Sequence, residues 1–196
     1  RVQVIAHRRE NARVVAVAPV GHAAHPHLAQ AAGARIGVCT NKFEVLSKSL
    51  LGQLRPDLPL SLAARSEAEL EVVRKEMASL GVKAIATRCD VTNAEDRATL
   101  IERTQAELGP IDILINNSGI SVQQRLADVT PADYDRVMDT NAKGAFFTAQ
   151  AVAKRMIARG AKGRIVNIAS VAGLRPISQL GVYAMSKAAV VQMTRA

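Results

Sequence analysis

From residue 33 onward, short apolar runs alternate with longer segments in which apolar residues recur at helical spacing. This alternation is typical of repeated βα units, whose strands form a parallel sheet covered by helices. Five runs are predicted to be strands, at residues 35–39, 58–63, 83–87, 111–115 and 164–169. The fourth is apolar except for Asp112, as expected for a strand covered on both faces. The pattern predicts an α/β fold of three layers with a doubly wound parallel sheet.

The helices between these strands have recognisable starts. Two begin with predicted capping boxes, Ser66 with Glu69 and Thr92 with Glu95. A third is predicted to begin with the Thr-Pro pair at residues 130–131, and its pattern continues to residue 158. Asn141 lies in the middle of that helix, where Asn is a poor helix former. Its side chain is therefore expected either to face water or to have a function.

Three residues near the end of the chain could form a proton-transfer site. Tyr183 and Lys187 are four residues apart in a helical run, so both project from one face. A phenol is a poor base at neutral pH, but an ammonium held nearby favours the phenolate form. Ser170, directly after the fifth predicted strand, could donate a hydroxyl hydrogen bond to a substrate oxygen. These residue types predict a site that moves a proton to or from an oxygen.

Composition indicates one globular domain. The chain has 196 residues, of which 48% are hydrophobic and 22% charged. We expect an irregular segment at 1–32 and a single domain at 33–196. The chain starts with Arg1 and shows no apolar secretory core, so we interpret it as a fragment or a processed start. No run reaches the roughly eighteen apolar residues of a membrane span, and Cys39 and Cys89 lack disulfide or metal-site spacing, which favours the cytoplasm.

The net charge of +9 would attract polyanions, including nucleic acid. Basic residues are spread among acids, however, and only 3% of the chain is aromatic, which leaves few rings to stack on bases. Neither a nucleic acid nor a membrane is predicted as a partner. His22, His25 and His27 surround a proline without a nearby acid or Cys, so no metal site is predicted either.

Four motifs resemble the short-chain dehydrogenase/reductase family in order and spacing. They are Cys-Asp-Val-Thr at residues 89–92, Asn-Asn-Ser-Gly at 116–119, Asn141, and Gly-Val-Tyr-Ala-Met-Ser-Lys at 181–187. The resemblance covers residues 57–196 and is specific. It implies a Rossmann-type fold, incomplete at its C-terminal edge, and reversible hydride transfer between a nicotinamide cofactor and a small carbonyl or alcohol substrate.

The resemblance also implies roles for individual residues. Tyr183 would donate or accept the proton, Ser170 would orient the substrate oxygen, Lys187 would favour the phenolate and hold the nicotinamide ribose, and Asn141 would anchor a water in a proton relay. Arg65 would accommodate the 2′-phosphate of NADP(H), with NAD(H) as the other choice. The remaining cofactor-binding positions are Asp90 and Val91 at the adenine, and Asn117, Ser118 and Gly119 beside the central strand.

The first turn departs from the family pattern. The family carries a glycine-rich loop after its first strand, where glycine lets the backbone approach the pyrophosphate. In this chain Asn41, Val45 and Ser47 occupy those places. Two alternatives to an active enzyme follow: a chimeric or inactive scaffold that binds no dinucleotide, and a phosphatase-like fragment. The phosphatase reading rests on residues 33–42, which resemble a motif of haloacid-dehalogenase-type phosphatases, but residues 1–32 contain no Asp to serve as its nucleophile.

Family members usually pair through the third helix and the Tyr183 helix, so the resemblance implies a homodimer or homotetramer. The substrate itself is not predicted.

Overall fold

The computed structural model describes residues 36–40 and 59–196. Within these residues, five parallel strands form one sheet in the order β3-β2-β1-β4-β5. The strands are β1 Ile36–Thr40, β2 Leu60–Ala64, β3 Ala84–Arg88, β4 Ile113–Asn117 and β5 Arg164–Asn167. The strand order reverses between β1 and β4, and the predicted doubly wound parallel sheet is confirmed. In such sheets ligands bind outside the carboxyl ends of the strands at the reversal.

Five α-helices lie between or after these strands in the described part of the chain. They are α1 Glu67–Ser79, α2 Ala94–Leu108, α3 Pro131–Met138, α4 Gly144–Ala158 and α5 Gly181–Arg195, with short 3₁₀ turns at Leu126–Asp128 and Val171–Gly173. None of the helices in residues 59–196 is long and apolar enough to cross a membrane.

Alternate residues of β4 face the two covered sides of the sheet. Ile113 and Ile115 belong to a core with β2 and α1, whereas Leu114 belongs to a core with α2 and α4. The helical residues of these two cores are Leu70, Val73 and Met77 on one side, and Ile101, Val152 and Met156 on the other. The sheet is therefore a buried middle layer, which explains the nearly continuous apolar character of β4.

Strand β4 begins two residues later than predicted. Asp112, expected within the strand, lies just before it, and its Oδ1 accepts a hydrogen bond of 2.8 Å from Arg159. Pairing with β1 extends the strand instead to Asn117, opposite Thr40. A charged residue thus stays at the sheet margin, where an arginine compensates for the cost of partial burial.

The start of α2 also differs from the prediction. Its N-cap is Asn93, whose Oδ1 accepts from the backbone N–H groups of Glu95 at 2.7 Å and Asp96 at 3.1 Å. Thr92, the predicted cap, instead donates its hydroxyl to Asp90 at 2.8 Å. Thr and Asn both cap helices well, so the neighbouring carboxylate decides which one does. The predicted cap of α1 is confirmed, because the Ser66 hydroxyl accepts from the Glu69 N–H.

The third predicted helix contains a feature that its sequence pattern did not reveal. A π-helical segment, Asp139–Lys143, joins α3 to α4 without a break. Its wider turn is closed by a hydrogen bond from the Gly144 N–H to the Asp139 carbonyl, five residues back. Gly144 also allows close packing, since a Cβ there would lie 2.8 Å from Cγ2 of Val91. Single π turns of this kind recur at functional sites.

Several predictions fall outside the described residues. These are the segment 1–32, the histidines at 22, 25 and 27, and the first turn with Asn41, Val45 and Ser47.

We predict that Asn93→Ala lowers the free energy of unfolding by about 1 kcal/mol, because two N–H groups at the start of α2 lose their acceptor. Asn93→Ser keeps a capping oxygen and is the matched control, expected within a few tenths of a kcal/mol of wild type. Urea denaturation of the three proteins measures the difference. Equal stability of the Ala and Ser variants would contradict the assignment of Asn93 as the cap.

Candidate active site

Three segments carry the predicted catalytic residues at the carboxyl edge of the sheet. Ser170 follows β5, Asn141 lies in the π segment, and Tyr183 and Lys187 lie in α5. The chain after β4 continues directly into Ser118 and Gly119. The structure thus gathers, at one edge, residues that are up to 70 positions apart in the chain.

Lys187 is the most unusual member of this group, because it is a charged residue of which only 4% is exposed. Its Nζ donates a hydrogen bond of 2.7 Å to the carbonyl oxygen of Ile168. The same Nζ lies 5.9 Å from the ring centroid of Tyr183, one helical turn earlier. A buried ammonium is costly unless polar groups surround it, so its presence at the end of a parallel sheet marks a functional-site candidate.

Tyr183 is partly buried, in contrast to the nearly enclosed Lys187. The four-residue spacing of the two side chains does bring them together on one face of α5, as predicted. The Tyr183 ring therefore lies near a cation, and part of its surface is exposed.

Ser170 is held by the turn that it starts. Its Oγ accepts a hydrogen bond of 3.2 Å from the Ala172 N–H. Gly173, at the end of the turn, packs against α5, because a Cβ there would lie 2.7 Å from the Lys187 carbonyl carbon. Only glycine allows the two backbones to approach so closely. The Ser170 turn is therefore seated directly on the helix segment that carries Lys187.

Asn141 is 1% exposed, so of the two alternatives from the sequence, a side chain that faces water is excluded. Its Oδ1 accepts from the Ile120 N–H at 2.8 Å, and its Nδ2 donates to the Ile120 carbonyl at 2.8 Å. Nδ2 also donates to the Ser186 hydroxyl at 2.9 Å. The amide therefore joins the π segment to the chain after β4 and to α5.

Gly119 lies where these groups meet. A Cβ built at this position would be 3.4 Å from Nζ of Lys187 and 3.5 Å from Oδ1 of Asn141. A larger side chain would fill this space. A Cβ at residue 119 would thus be in van der Waals contact with both the ammonium and the amide oxygen.

A second group of predicted residues lies at the ends of β2 and β3. Arg65 is exposed directly after β2, and Val91 is buried beneath Gly144. Partial burial raises the pKa of the Asp90 carboxyl, but hydrogen bonds from the Thr92 N–H and hydroxyl and the charges of Arg65 and Arg88 outweigh it. The pKa of Asp90 is consequently lowered from its ordinary value of 3.8.

Sequence reasoning missed the residues that hold the predicted ones. Ser186, fully buried beside Lys187, and the backbone groups of Ile120 and Ile168 were not singled out. The signal for Ser186 was its position three residues after Tyr183, which places it on the same side of the helix. Nothing in the local sequence identifies the two backbone partners.

Asn116 supports the end of the central strand, as expected from its motif. Its Nδ2 donates to the Ala145 carbonyl at 3.1 Å and to Oδ1 of Asn167 at 2.9 Å. It therefore connects β4 to α4 and to β5, inside the protein rather than at the binding edge.

Comparison with known proteins shows which family the chain belongs to. The family model described as short chain dehydrogenase matches residues 54–196. The chain belongs to this family. The sorbitol dehydrogenase of Cereibacter sphaeroides is 41% identical over 136 residues, which are 67% of this chain and 52% of that enzyme.

Solved structures of family members share the fold. A short-chain type dehydrogenase/reductase from Mycobacterium marinum is 36% identical, with a TM-score of 0.77 over 83% of this chain and 65% of that one. An actinorhodin polyketide ketoreductase variant with NADPH is 29% identical, with a TM-score of 0.73 over 83% and 63%. A family member from Burkholderia phymatum in complex with NAD is 26% identical, with a TM-score of 0.74 over 83% and 58%.

The comparisons bear on the predictions at two levels. They confirm the Rossmann-type fold and the family, which is a family of oxidoreductases. The solved relatives hold either NADPH or NAD, so the choice of cofactor differs within the family. The chain spans about half the length of the sorbitol dehydrogenase it matches.

We predict that the contribution of Asp90 to the stability of this dehydrogenase-family chain depends on pH. Because its pKa is lower in the folded state, the contribution is present at neutral pH and is lost as the pH falls below about 4 and through the folded value. Asp90→Asn should therefore be less stable than wild type near pH 7, with a smaller difference near about pH 3, as measured by urea denaturation.

Removal of the Thr92 hydroxyl tests the cause of the lowered Asp90 pKa. Thr92→Val removes one hydrogen bond to the carboxylate and should raise the pKa of Asp90 in an NMR titration. An unchanged midpoint would contradict the assigned cause.

Proposed function

We propose that this chain forms the catalytic part of an NADP(H)-dependent oxidoreductase that interconverts a carbonyl and an alcohol. The observation that carries the proposal is the buried Lys187 ammonium beside the Tyr183 phenol, at the carboxyl edge of a parallel sheet. Membership of the short chain dehydrogenase family supports the reaction class. The substrate would be a small molecule with a carbonyl or hydroxyl group.

The described residues fit a nicotinamide dinucleotide. Gly119 forms a space that a Cβ would fill, bordered by Nζ of Lys187 and Oδ1 of Asn141. Lys187 would hold the nicotinamide ribose there, with Asn117 and Ser118 beside it. At the ends of β2 and β3, Asp90 and Val91 would border the adenine, and Arg65 would contact the 2′-phosphate. When bound, the cofactor supplies or accepts the hydride.

Tyr183 would handle the proton on the substrate oxygen. Nζ of Lys187 lies 5.9 Å from the centroid of the Tyr183 ring, so a cation stands beside the group that would exchange the proton. When a carbonyl is reduced, the phenol gives its proton to the developing alkoxide. When an alcohol is oxidised, the phenolate accepts the hydroxyl proton.

Ser170 would orient the same oxygen. Its Oγ accepts the Ala172 N–H through a lone pair, and a hydroxyl has one proton of its own to donate. That proton is suited to a hydrogen bond with the carbonyl oxygen of the substrate, which would hold the reacting carbon in place.

Asn141 would take part in the proton relay only as a hydrogen-bond acceptor. Both hydrogens of its amide are used, by Ile120 and Ser186. A relay water would therefore be held by an oxygen of Asn141 rather than by its NH₂ group. This restriction makes the residue an acceptor in the relay.

The proposed assembly is a homodimer or homotetramer of the single domain at residues 33–196, in the cytoplasm. Exposed apolar side chains on α4 and α5 support pairing through these helices, because Phe146, Phe147 and Met185 are 45%, 39% and 50% exposed. Apolar surface of this kind is common at subunit interfaces.

We predict that Tyr183→Phe abolishes turnover, with a loss of at least about 100-fold, because the ring remains but the proton donor is gone. Affinity for the cofactor should change little, since the phenyl ring fills the same space. Steady-state kinetics and cofactor titration of the same preparation measure both. Undiminished turnover would refute the role of Tyr183.

We predict that the chain binds NADPH more tightly than NADH, and that Arg65→Asp reverses this preference, because a carboxylate repels the 2′-phosphate and accepts from ribose hydroxyls. Calorimetric titration with both cofactors measures the change. Arg195→Asp, at the C-terminal end of α5, carries the same charge change and is expected to keep the NADPH preference.

The same titration tests the second candidate, a family-derived scaffold that binds no dinucleotide. That candidate is favoured by the side chains of Asn41, Val45 and Ser47 where the family has glycine. Absence of binding at millimolar concentrations of either cofactor would favour the scaffold and refute the enzyme.

A further inference from the structure

We propose that Ser186 is a positioning residue, whose hydroxyl holds the Asn141 amide in its working orientation and ties the π segment to α5. Ser186 is 0% exposed, so its Oγ has no access to solvent. Oγ accepts from Nδ2 of Asn141 at 2.9 Å and donates to the carbonyl oxygen of Tyr183 at 2.7 Å. The consequence for turnover rests on the proposed function, but the consequence for hydrogen bonding does not.

The Ser186 hydroxyl has a fixed donor and acceptor assignment. A hydroxyl has a single proton, and that of Ser186 is used by the Tyr183 carbonyl. Oγ must therefore act as an acceptor toward Asn141, which requires the NH₂ side of the amide to face it. The amide oxygen then faces the Ile120 N–H, as observed.

A hydroxyl that only bonds to its own helix has a simpler role. Thr148, for example, donates to the Gly144 carbonyl, four residues back. Ser186 makes the comparable bond to Tyr183 but also accepts from a side chain 45 positions earlier. The second bond is what distinguishes a link between elements from local helix bonding.

The hydrogen bonds from Ser186 through Asn141 extend to the backbone beside Lys187. Asn141 holds both the N–H and the carbonyl of Ile120, which directly follows Gly119. Gly119 in turn borders both Nζ of Lys187 and Oδ1 of Asn141. Removal of the Ser186 hydroxyl leaves one buried Asn141 N–H without its acceptor, so the amide can rotate and the Ile120 backbone is held less firmly.

The test compares Ser186→Ala with Ser61→Ala in the full chain. Ser61 is 1% exposed, and its hydroxyl pairs with Thr104 at 2.7 Å between β2 and α2. The control therefore removes the same atom at the same burial, without touching the Asn141 amide. Urea denaturation of both variants establishes that they are folded before other measurements are made.

The first readout needs no activity. Ser186→Ala should speed amide hydrogen exchange at Ile120 by about tenfold or more, because the partner of that N–H is no longer held. Ser61→Ala should leave the rate within about twofold of wild type. Unchanged exchange at Ile120 in the Ser186 variant would overturn the proposal, whether or not the chain turns over a substrate.

The second readout is kinetic. Ser186→Ala should lower kcat by about 10- to 100-fold with little change in KM, as expected when reacting groups are misplaced rather than lost. In an Asn141→Ala background the same substitution should cause no further loss, because Ser186 acts through that amide. Additive losses in the double variant would also overturn the proposal.

The two readouts separate the possible failures. Faster exchange at Ile120 in Ser186→Ala, together with a wild-type chain that turns over nothing, would support the role of Ser186 and refute the proposed enzyme. Turnover by wild type, with equal kcat and equal Ile120 exchange in Ser186→Ala, would support the enzyme and refute the role of Ser186.

Discussion

The ammonium of Lys187, almost completely withdrawn from water, is the constraint around which the edge of this sheet is arranged. A buried charge costs several kcal/mol unless polar groups replace the lost hydration. The Ile168 carbonyl supplies one such group, and the backbone of the Ser170 turn comes close to the same helix segment only because residue 173 is glycine. The end of β5, the turn after it and α5 therefore pack together around the segment that carries Lys187.

The π segment allows a buried Asn amide to find its hydrogen-bond partners at the same edge of the sheet. Asn is a poor residue for a regular helix, and its amide needs several hydrogen-bond partners once it is buried. The wider turn at Asp139–Lys143 lies where Asn141 reaches both backbone groups of Ile120 and the hydroxyl of Ser186. The irregular turn and the fully satisfied amide thus belong to one arrangement, in which a local departure from α-helical geometry is offset by bonds to two other elements.

The two ends of the proposed cofactor site, at Lys187 and at Arg65, differ in how strongly their polar groups are buried. At the Lys187 end, the polar groups are buried and held by short hydrogen bonds, so their positions are well defined. At the Arg65 end, the groups are exposed or half-buried, and the Asp90 carboxylate is stabilised by Thr92 and by nearby arginines. Within the family, the solved relatives hold either NADPH or NAD, which is consistent with a buried chemical end and a more variable exposed end.

Local pattern was sufficient for the order of strands and helices and for the caps at Ser66 and Thr130. With the family resemblance it also singled out Ser170, Tyr183, Lys187 and Asn141, whose catalytic roles stay predictions. Hydrophobic periodicity, cap residues and the four-residue spacing act between neighbours in the chain. The choice of Asn93 over Thr92, the start of β4, the π turn and the partners Ile120, Ile168 and Ser186 came only with the folded chain. The choice of Asn93 follows from the Asp90 carboxylate, which accepts the Thr92 hydroxyl. The pairings with Ile120, Ile168 and Ser186 depend on which distant group is packed alongside, because these hydrogen bonds span 19 to 45 positions of the chain.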